Sequence, residues 1–113
     1  MLVKTGRLTK NKEFDKVFKY GRSSYNQNIG VKVILNENLI NRLGIIISCK
    51  VSKKATDRNK FKRSIKEIFR LIESKLKTGY DILVIALPGV NNKTYQEITE
   101  IFDQGLKKLK MFK

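Results

Sequence analysis

The sequence predicts a single α+β domain spanning residues 1–113, with elements in the order helix, three strands, long helix, strand, helix. Three observations carry this reading. Apolar residues recur at helical spacing in three separate stretches. Between these stretches lie short apolar or alternating runs bounded by turn residues. The chain has 113 residues and is 41% hydrophobic, enough for one core and too short for two comfortable ones. No repeat or low-complexity tract divides it, and Pro88 is its one proline.

The first helix runs from about Asn11 to Lys19. Phe14, Val17 and Phe18 recur at i, i+3 and i+4, and Thr9 or Asn11 can cap its start. Gly21 ends it. From Ser24 to Asn28 the chain is polar and begins an extended segment. Ile29 to Leu35 reads as a strand, with Ile29, Val31, Val33 and Leu35 on one face. Gly30, Lys32 and Ile34 lie on the other, a less apolar face suited to a ligand. Asn36-Glu37-Asn38 turns the chain. Leu43 to Ser48 is apolar on both faces and predicts a buried strand.

The long helix is expected over Ala55 to Lys77. Phe61, Ile65, Ile68, Phe69, Ile72 and Leu76 fall within an arc of roughly 100°, a core-facing stripe. Asn59, Lys60, Lys62, Arg63, Lys66 and Arg70 occupy the remaining arc, and Arg58 sits near the apolar edge in the first turn. Thr78-Gly79 closes the helix, Tyr80 to Leu87 forms a buried strand, and Pro88-Gly89 ends it. Thr94-Tyr95-Gln96-Glu97 fits a capping box. Ile98, Ile101, Phe102, Leu106 and Leu109 make the last helix amphipathic, with Gly105 a mild weak point. Lysines 107, 108, 110 and 113 favour its C-terminal end through the helix dipole and read as a solvated face.

Charge narrows the function. The formal net charge is +15 and the pI about 10.1, an excess of one sign that solubility does not require. Nucleic acid or an anionic membrane would relieve it. Apolar runs reach only about six residues, far short of a membrane span. The N-terminus carries no long apolar region of the signal-peptide kind. Cys49 is the single cysteine, so no internal disulfide forms, and a cytoplasmic location is expected. Histidine is absent, which excludes Ser-His-Asp and Cys-His catalysis and, with one cysteine, a structural zinc site. Any side-chain catalysis would have to come from ten carboxylates scattered among 25 cations.

The charge concentrates in one place. Lys50, Lys53, Lys54, Arg58, Lys60, Lys62, Arg63 and Lys66 lie in a single stretch, with Asp57 the one acidic residue among them. A run of surface lysines is ordinarily a solvated face. Here acidic residues are missing from Arg58 to Lys66, further lysines precede the helix, and the helix start adds backbone N–H groups and the positive dipole end. Phosphate binding follows. No helix-turn-helix pair precedes this helix, so a DNA major-groove reader is disfavoured. A helix packed on a sheet with a cationic outer face suits backbone and shape recognition of folded RNA.

At these residues the chain resembles the bacterial ribonuclease P protein subunit. Ala55-Thr56-Asp57-Arg58-Asn59-Lys60-Phe61-Lys62-Arg63, entered from Gly44-Ile45-Ile46-Ile47-Ser48-Cys49-Lys50 and continuing to Ile68-Phe69-Arg70, is similar to that family's signature at the start of its long helix. The opening segment, Arg7-Leu8-Thr9-Lys10-Asn11-Lys12-Glu13-Phe14-Asp15-Lys16-Val17-Phe18-Lys19-Tyr20-Gly21, resembles the family's start. Lys60 stands where arginine is commoner, Cys49 replaces the first lysine of a Lys-Lys pair, and Lys32 occupies a position where the family often has an aromatic residue.

The resemblance implies a fold and a function. The fold is an α-β-β-β-α-β-α sandwich, ribosomal-protein-like, with a mixed sheet of about four strands and a left-handed β-α-β crossover, against the usual rule of hand. The function is assistance to an RNA enzyme that removes the 5′ leader of precursor tRNA. Its partners would be ribonuclease P RNA and precursor tRNA, with no DNA and no membrane. Mg²⁺ would be held mainly by the RNA subunit, which performs the hydrolysis, so this chain would carry no catalytic residue and no metal site built from protein ligands alone. Lys50, Lys53, Lys54, Arg58, Asn59, Lys60, Lys62, Arg63, Lys66 and Arg70 would contact the catalytic RNA. Phe14, Phe18 and Lys32 would line the leader cleft, although both phenylalanines also fit the core stripe of a short helix. A ribosome-associated RNA-binding protein is the alternative, since fold alone does not separate the two. A stand-alone nuclease, which would cleave without added RNA, is disfavoured.

Overall fold

A computed structural model describes residues 11–36, 40–47, 50–51 and 54–113, with the side chains of 11–13 excepted. Its elements are α1 (Asn11–Tyr20), β1 (Arg22–Asn26), β2 (Ile29–Leu35), β3 (Arg42–Ile47), α2 (Ala55–Ile72), β4 (Tyr80–Ala86) and α3 (Tyr95–Lys108). This is the expected α+β order. The sheet runs β1-β2-β4-β3. β1 and β2 form an antiparallel hairpin, β2 pairs antiparallel with β4, and β3 pairs parallel with β4. The sheet is therefore mixed, and α2 makes the β-α-β crossover between neighbouring parallel strands.

Alternation along the strands divides the sheet into two faces. Ile29, Val31 and Val33 of β2 and Ile82 and Val84 of β4 are buried in the main core with Phe61, Ile65, Ile68 and Phe69 of α2 and Ile98, Ile101, Phe102 and Leu106 of α3. Across the sheet, Val17 of α1 packs on Leu83, flanked by Phe14, Ile34, Ile46 and Ile85. Among the described residues, one short helix covers that second face, whereas two longer helices cover the first.

Several local expectations are corrected. α2 ends at Ile72 rather than Lys77, followed by a 3₁₀ turn over Glu73–Lys75. Leu76 is still fully buried, but it gets there in an extended bridge to Phe112 rather than on the helix. Leu35 does not join the face of Ile29, Val31 and Val33, being 62% exposed at the end of its strand. β3 is an edge strand, so Ile45, Ile46 and Ile47 are half-buried rather than enclosed. β1 begins at Arg22, before the polar stretch expected to start it. Gly105, inside α3, has a second role besides its cost to the helix: a Cβ there would come within 3.1 Å of Val31 Cγ2, so the glycine lets α3 lie close on β2.

Other features stand as read. Gly21 closes α1, its N–H donating to the Val17 carbonyl at 2.9 Å. A Cβ at this position would meet that carbonyl oxygen at 2.5 Å and the Val33 carbonyl oxygen at 3.0 Å. The capping box of α3 is complete: the Glu97 N–H donates to Thr94 Oγ1 at 3.2 Å, and the Thr94 N–H donates to Glu97 Oε1 at 3.0 Å. These bonds, with Lys93 nearby, hold the Glu97 carboxyl below the usual carboxylate range. Thr9 lies outside the described residues, as does the side chain of Asn11.

One polar arrangement was not legible beforehand. Arg42 makes a two-point pair with Asp81, Nε to Oδ1 and Nη2 to Oδ2 both at 2.8 Å, and Asn36 Nδ2 donates to the same Oδ1 at 2.8 Å. It joins β3 to β4 at a directly paired register position. Charged pairs of this geometry are the strong kind.

Candidate nucleic-acid interface

Two groups of residues project from this frame. The first is the outer face of α2. Burying Phe61, Ile65, Ile68 and Phe69 turns the rest of the helix outward. Asn59, Lys60, Lys62, Arg63, Lys66 and Arg70 are all exposed, as are Lys50 and Lys54, while Arg58 is half-buried at the apolar edge. Asn59, Arg63, Lys66 and Arg70 form one row along the helix, about 16 Å long at the usual rise. Lys54 flanks the helix start in extended backbone, and its side chain makes no capping hydrogen bond. An ammonium has no acceptor to offer the first-turn N–H groups. Lys53, Cys49 and Ser48 lie outside the described residues.

The second group is on the α1 side of the sheet. Phe18 is 44% exposed and Tyr25 is 52% exposed. Lys32 lies between them, its Nζ 5.6 Å from the centre of the Phe18 ring and 5.7 Å from that of Tyr25. Each such contact contributes roughly 0.5–1 kcal/mol at an exposed site. Tyr25 pairs in register with Gly30, and Lys32 with Ser23. The ring of Tyr25 lies over Gly30, where any Cβ would collide with it. Ile46 and Ile85, also paired in register, are half-buried on the same face. Phe14 is half-buried against Val17 and Leu83, so most of its ring serves packing.

Of the residues singled out from the sequence, Phe18 and Lys32 come together and Phe14 stands behind them. Tyr25 was missed. A two-residue hairpin at Gln27-Asn28 would have revealed it, because that register sets Tyr25 opposite Gly30. Gln27 takes the left-handed φ of 52° that such a turn needs. Two partly open rings beside an ammonium can stack bases and meet a phosphate. The row on α2 offers cations without rings, which can meet phosphates.

The family follows from comparison. A family model described as Ribonuclease P matches residues 2–110. This chain belongs to the ribonuclease P protein family. The ribonuclease P protein component of Clostridium botulinum (strain Loch Maree / Type A3) is 40% identical over 107 residues, covering 94% of this chain and 96% of that relative. That of Pseudanabaena sp. is 35% identical over 112 residues, covering 98% and 97%. Among solved structures, the Staphylococcus aureus RNase P protein superposes with a TM-score of 0.89 at 35% identity, over 96% of this chain and 98% of that one. The RNase P protein of Thermotoga maritima gives a TM-score of 0.78 at 32% identity, over 87% and 92%. The recognition made from Arg58-Asn59-Lys60-x-Lys62-Arg63 and from the opening segment is thereby borne out, and with it the fold class.

Among the described residues, no cluster of three or more His, Cys, Asp or Glu side chains could hold a metal ion. No helix among them is long and apolar enough to cross a membrane.

Proposed function

We propose that this chain, as one RNA-binding domain, holds two RNAs on two separate surfaces of a ribonuclease P holoenzyme. The outer face of α2, with Lys50, Lys53, Lys54 and Arg58 at its start, binds the catalytic RNA through phosphates. The cleft of Phe18, Tyr25 and Lys32, with Phe14 behind, holds the single-stranded 5′ leader of precursor tRNA. The observation that carries the reading is the division of labour between the surfaces, one a row of exposed cations along α2 and one of rings around a cation.

Folded RNA presents a regular array of backbone phosphates, and a straight cationic row matches it. Single-stranded RNA presents bases, and exposed rings bind them with little regard to sequence. The protein lowers the barrier indirectly. It positions the precursor, and its positive charge offsets the repulsion of crowded phosphates. Mg²⁺ held by the RNA subunit supplies the Lewis-acid chemistry and the activated water. The reaction then runs in the cytoplasm, where precursor tRNA is made.

Reconstitution tests the reading. Catalytic RNA and precursor tRNA at low magnesium should release the leader much faster when the protein is added. Equal rates with and without protein would overturn it. Cleavage by the protein with no added RNA would favour a stand-alone nuclease instead.

A further inference from the structure

A second open groove, of about 450 Å³, lies at the other end of the sheet. It is lined by Tyr20 at the close of α1, Arg22 of β1, Leu35 of β2, Lys77, Tyr80 of β4 and Lys110 beyond α3. The chain leaves β3 for α2 beyond Ile47, whose register partner is Ala86. The groove sits at Tyr80, whose partner is Leu35. It is therefore at the end of the sheet away from the basic start of α2.

Its chemistry is that of a nucleic-acid site. Among the described residues, three cations line it and no carboxylate does. Asp81, the register partner of Ile34, is engaged at both carboxylate oxygens by Arg42, so its charge is already balanced. Tyr20 is 74% exposed and Leu35 62%, the two most open large apolar side chains among the described residues. A surface that served solubility alone would not set these between cations.

The lysines are held in place by backbone. The Lys77 N–H donates to the Met111 carbonyl at 2.7 Å, which ties the segment before β4 to the residue after Lys110. Lys110 has a left-handed φ of 57°, fixed by the Lys110 N–H bonding the Lys107 carbonyl and the Met111 N–H bonding the Leu106 carbonyl. The groove also adjoins the first cleft. Tyr20 follows Phe18 by two residues on α1. Ile34, which lines the groove, follows Lys32 by two on β2, about 7 Å along the strand.

We infer that this groove is a second single-stranded RNA site, occupied by the part of the precursor leader that extends upstream of the Phe18–Tyr25–Lys32 cleft. The inference rests on the leader reading of that cleft. A leader crossing the end of α1 would stack a base on Tyr20 and set its phosphates against Arg22, Lys77 and Lys110.

The test is binding of precursor tRNAs of graded leader length to the reconstituted holoenzyme. The Lys77→Glu/Lys110→Glu double variant changes two exposed side chains. It should weaken long-leader precursors several-fold and leave precursors whose leader only fills the cleft unchanged. It should also flatten the salt dependence by roughly 0.7 for each phosphate no longer neutralised. Tyr20→Ala, at a largely exposed ring, should give the same length dependence without a charge change and serves if the double variant fails to fold. Equal weakening of short and long leaders, or no weakening of either, would overturn the inference. Should the unmodified holoenzyme show no dependence on leader at all, the reading of the cleft itself fails, a separate outcome.

Discussion

The ring of Tyr25 lies so close over Gly30 that a Cβ on that glycine would stand 2.5 Å from Tyr25 Cε1 and 2.7 Å from Cδ1. The bare backbone at position 30 lets the ring lie down beside Lys32, on the face shared with Phe18. An aromatic side chain is thus delivered from the neighbouring strand to a cleft in which β2 itself offers a lysine. Tyr25→Ala should weaken leader binding by about 1–3 kcal/mol, the usual cost of removing one ring from under a base. Tyr25→Phe should retain most of the affinity. Gly30→Val should behave like Tyr25→Ala by displacing the ring. Titration of a labelled precursor against the holoenzyme reads all three.

The α2 face makes a different prediction. Arg63 is exposed, on the side away from Phe61, Ile65 and Phe69. Arg63→Glu should weaken binding to the catalytic RNA while far-ultraviolet circular dichroism and thermal midpoint stay unchanged. If about five phosphates are neutralised, log affinity should fall against log salt with a slope of roughly −3.5 to −4.5. A flat salt response would mean that the protein does not bind the RNA backbone.

Much of this was legible in the chain itself, for physical reasons that differ by element. The stripe of Phe61, Ile65, Ile68 and Phe69 has a helical period strong enough to set both the buried and the cationic side of α2. The end of that helix was not legible, because Leu76 is drawn out of it by pairing with Phe112 across the sequence. Sheet order was invisible as well. Ile45, Ile46 and Ile47 read as enclosed, yet β3 stands at an edge and leaves them half-open. Tyr25 was missed for a related reason. Its partner across the hairpin depends on a register that only the turn at Gln27-Asn28 specifies. Gly105, read in isolation, looked like a cost to its helix. Beside Val31 it also lets the helix lie close on β2.

The Arg42–Asp81 pair bears on stability rather than RNA binding. The Asp81 side chain is 4% exposed and that of Arg42 19%, so removing one partner leaves the other poorly solvated. Asp81→Ala should destabilise the fold by about 3 kcal/mol. It also removes an acceptor from Asn36. Urea unfolding followed by circular dichroism checks this, and an unchanged midpoint would count against the pair's role in joining β3 to β4.

The start of α3 gives a prediction in pH. Hydrogen bonds from Thr94 hold the Glu97 carboxyl below its ordinary range, so the folded state binds its proton less readily than the unfolded state. The resulting stabilisation is present above the unfolded carboxylate range and is lost as pH falls through the folded value. Glu97→Gln should remove this part of the acid dependence and leave a smaller change at acid pH than at neutral pH. Thr94→Ala should cost about 1 kcal/mol at neutral pH.

Crosslinking from two positions in one holoenzyme addresses the central claim most directly. A photoreactive residue at position 25 and, separately, at position 62 would be irradiated in the presence of catalytic RNA and precursor tRNA. Position 25 should capture the precursor's 5′ leader, and position 62 the catalytic RNA. Capture of the same RNA from both positions, or the reverse assignment, would contradict the separation of the two surfaces.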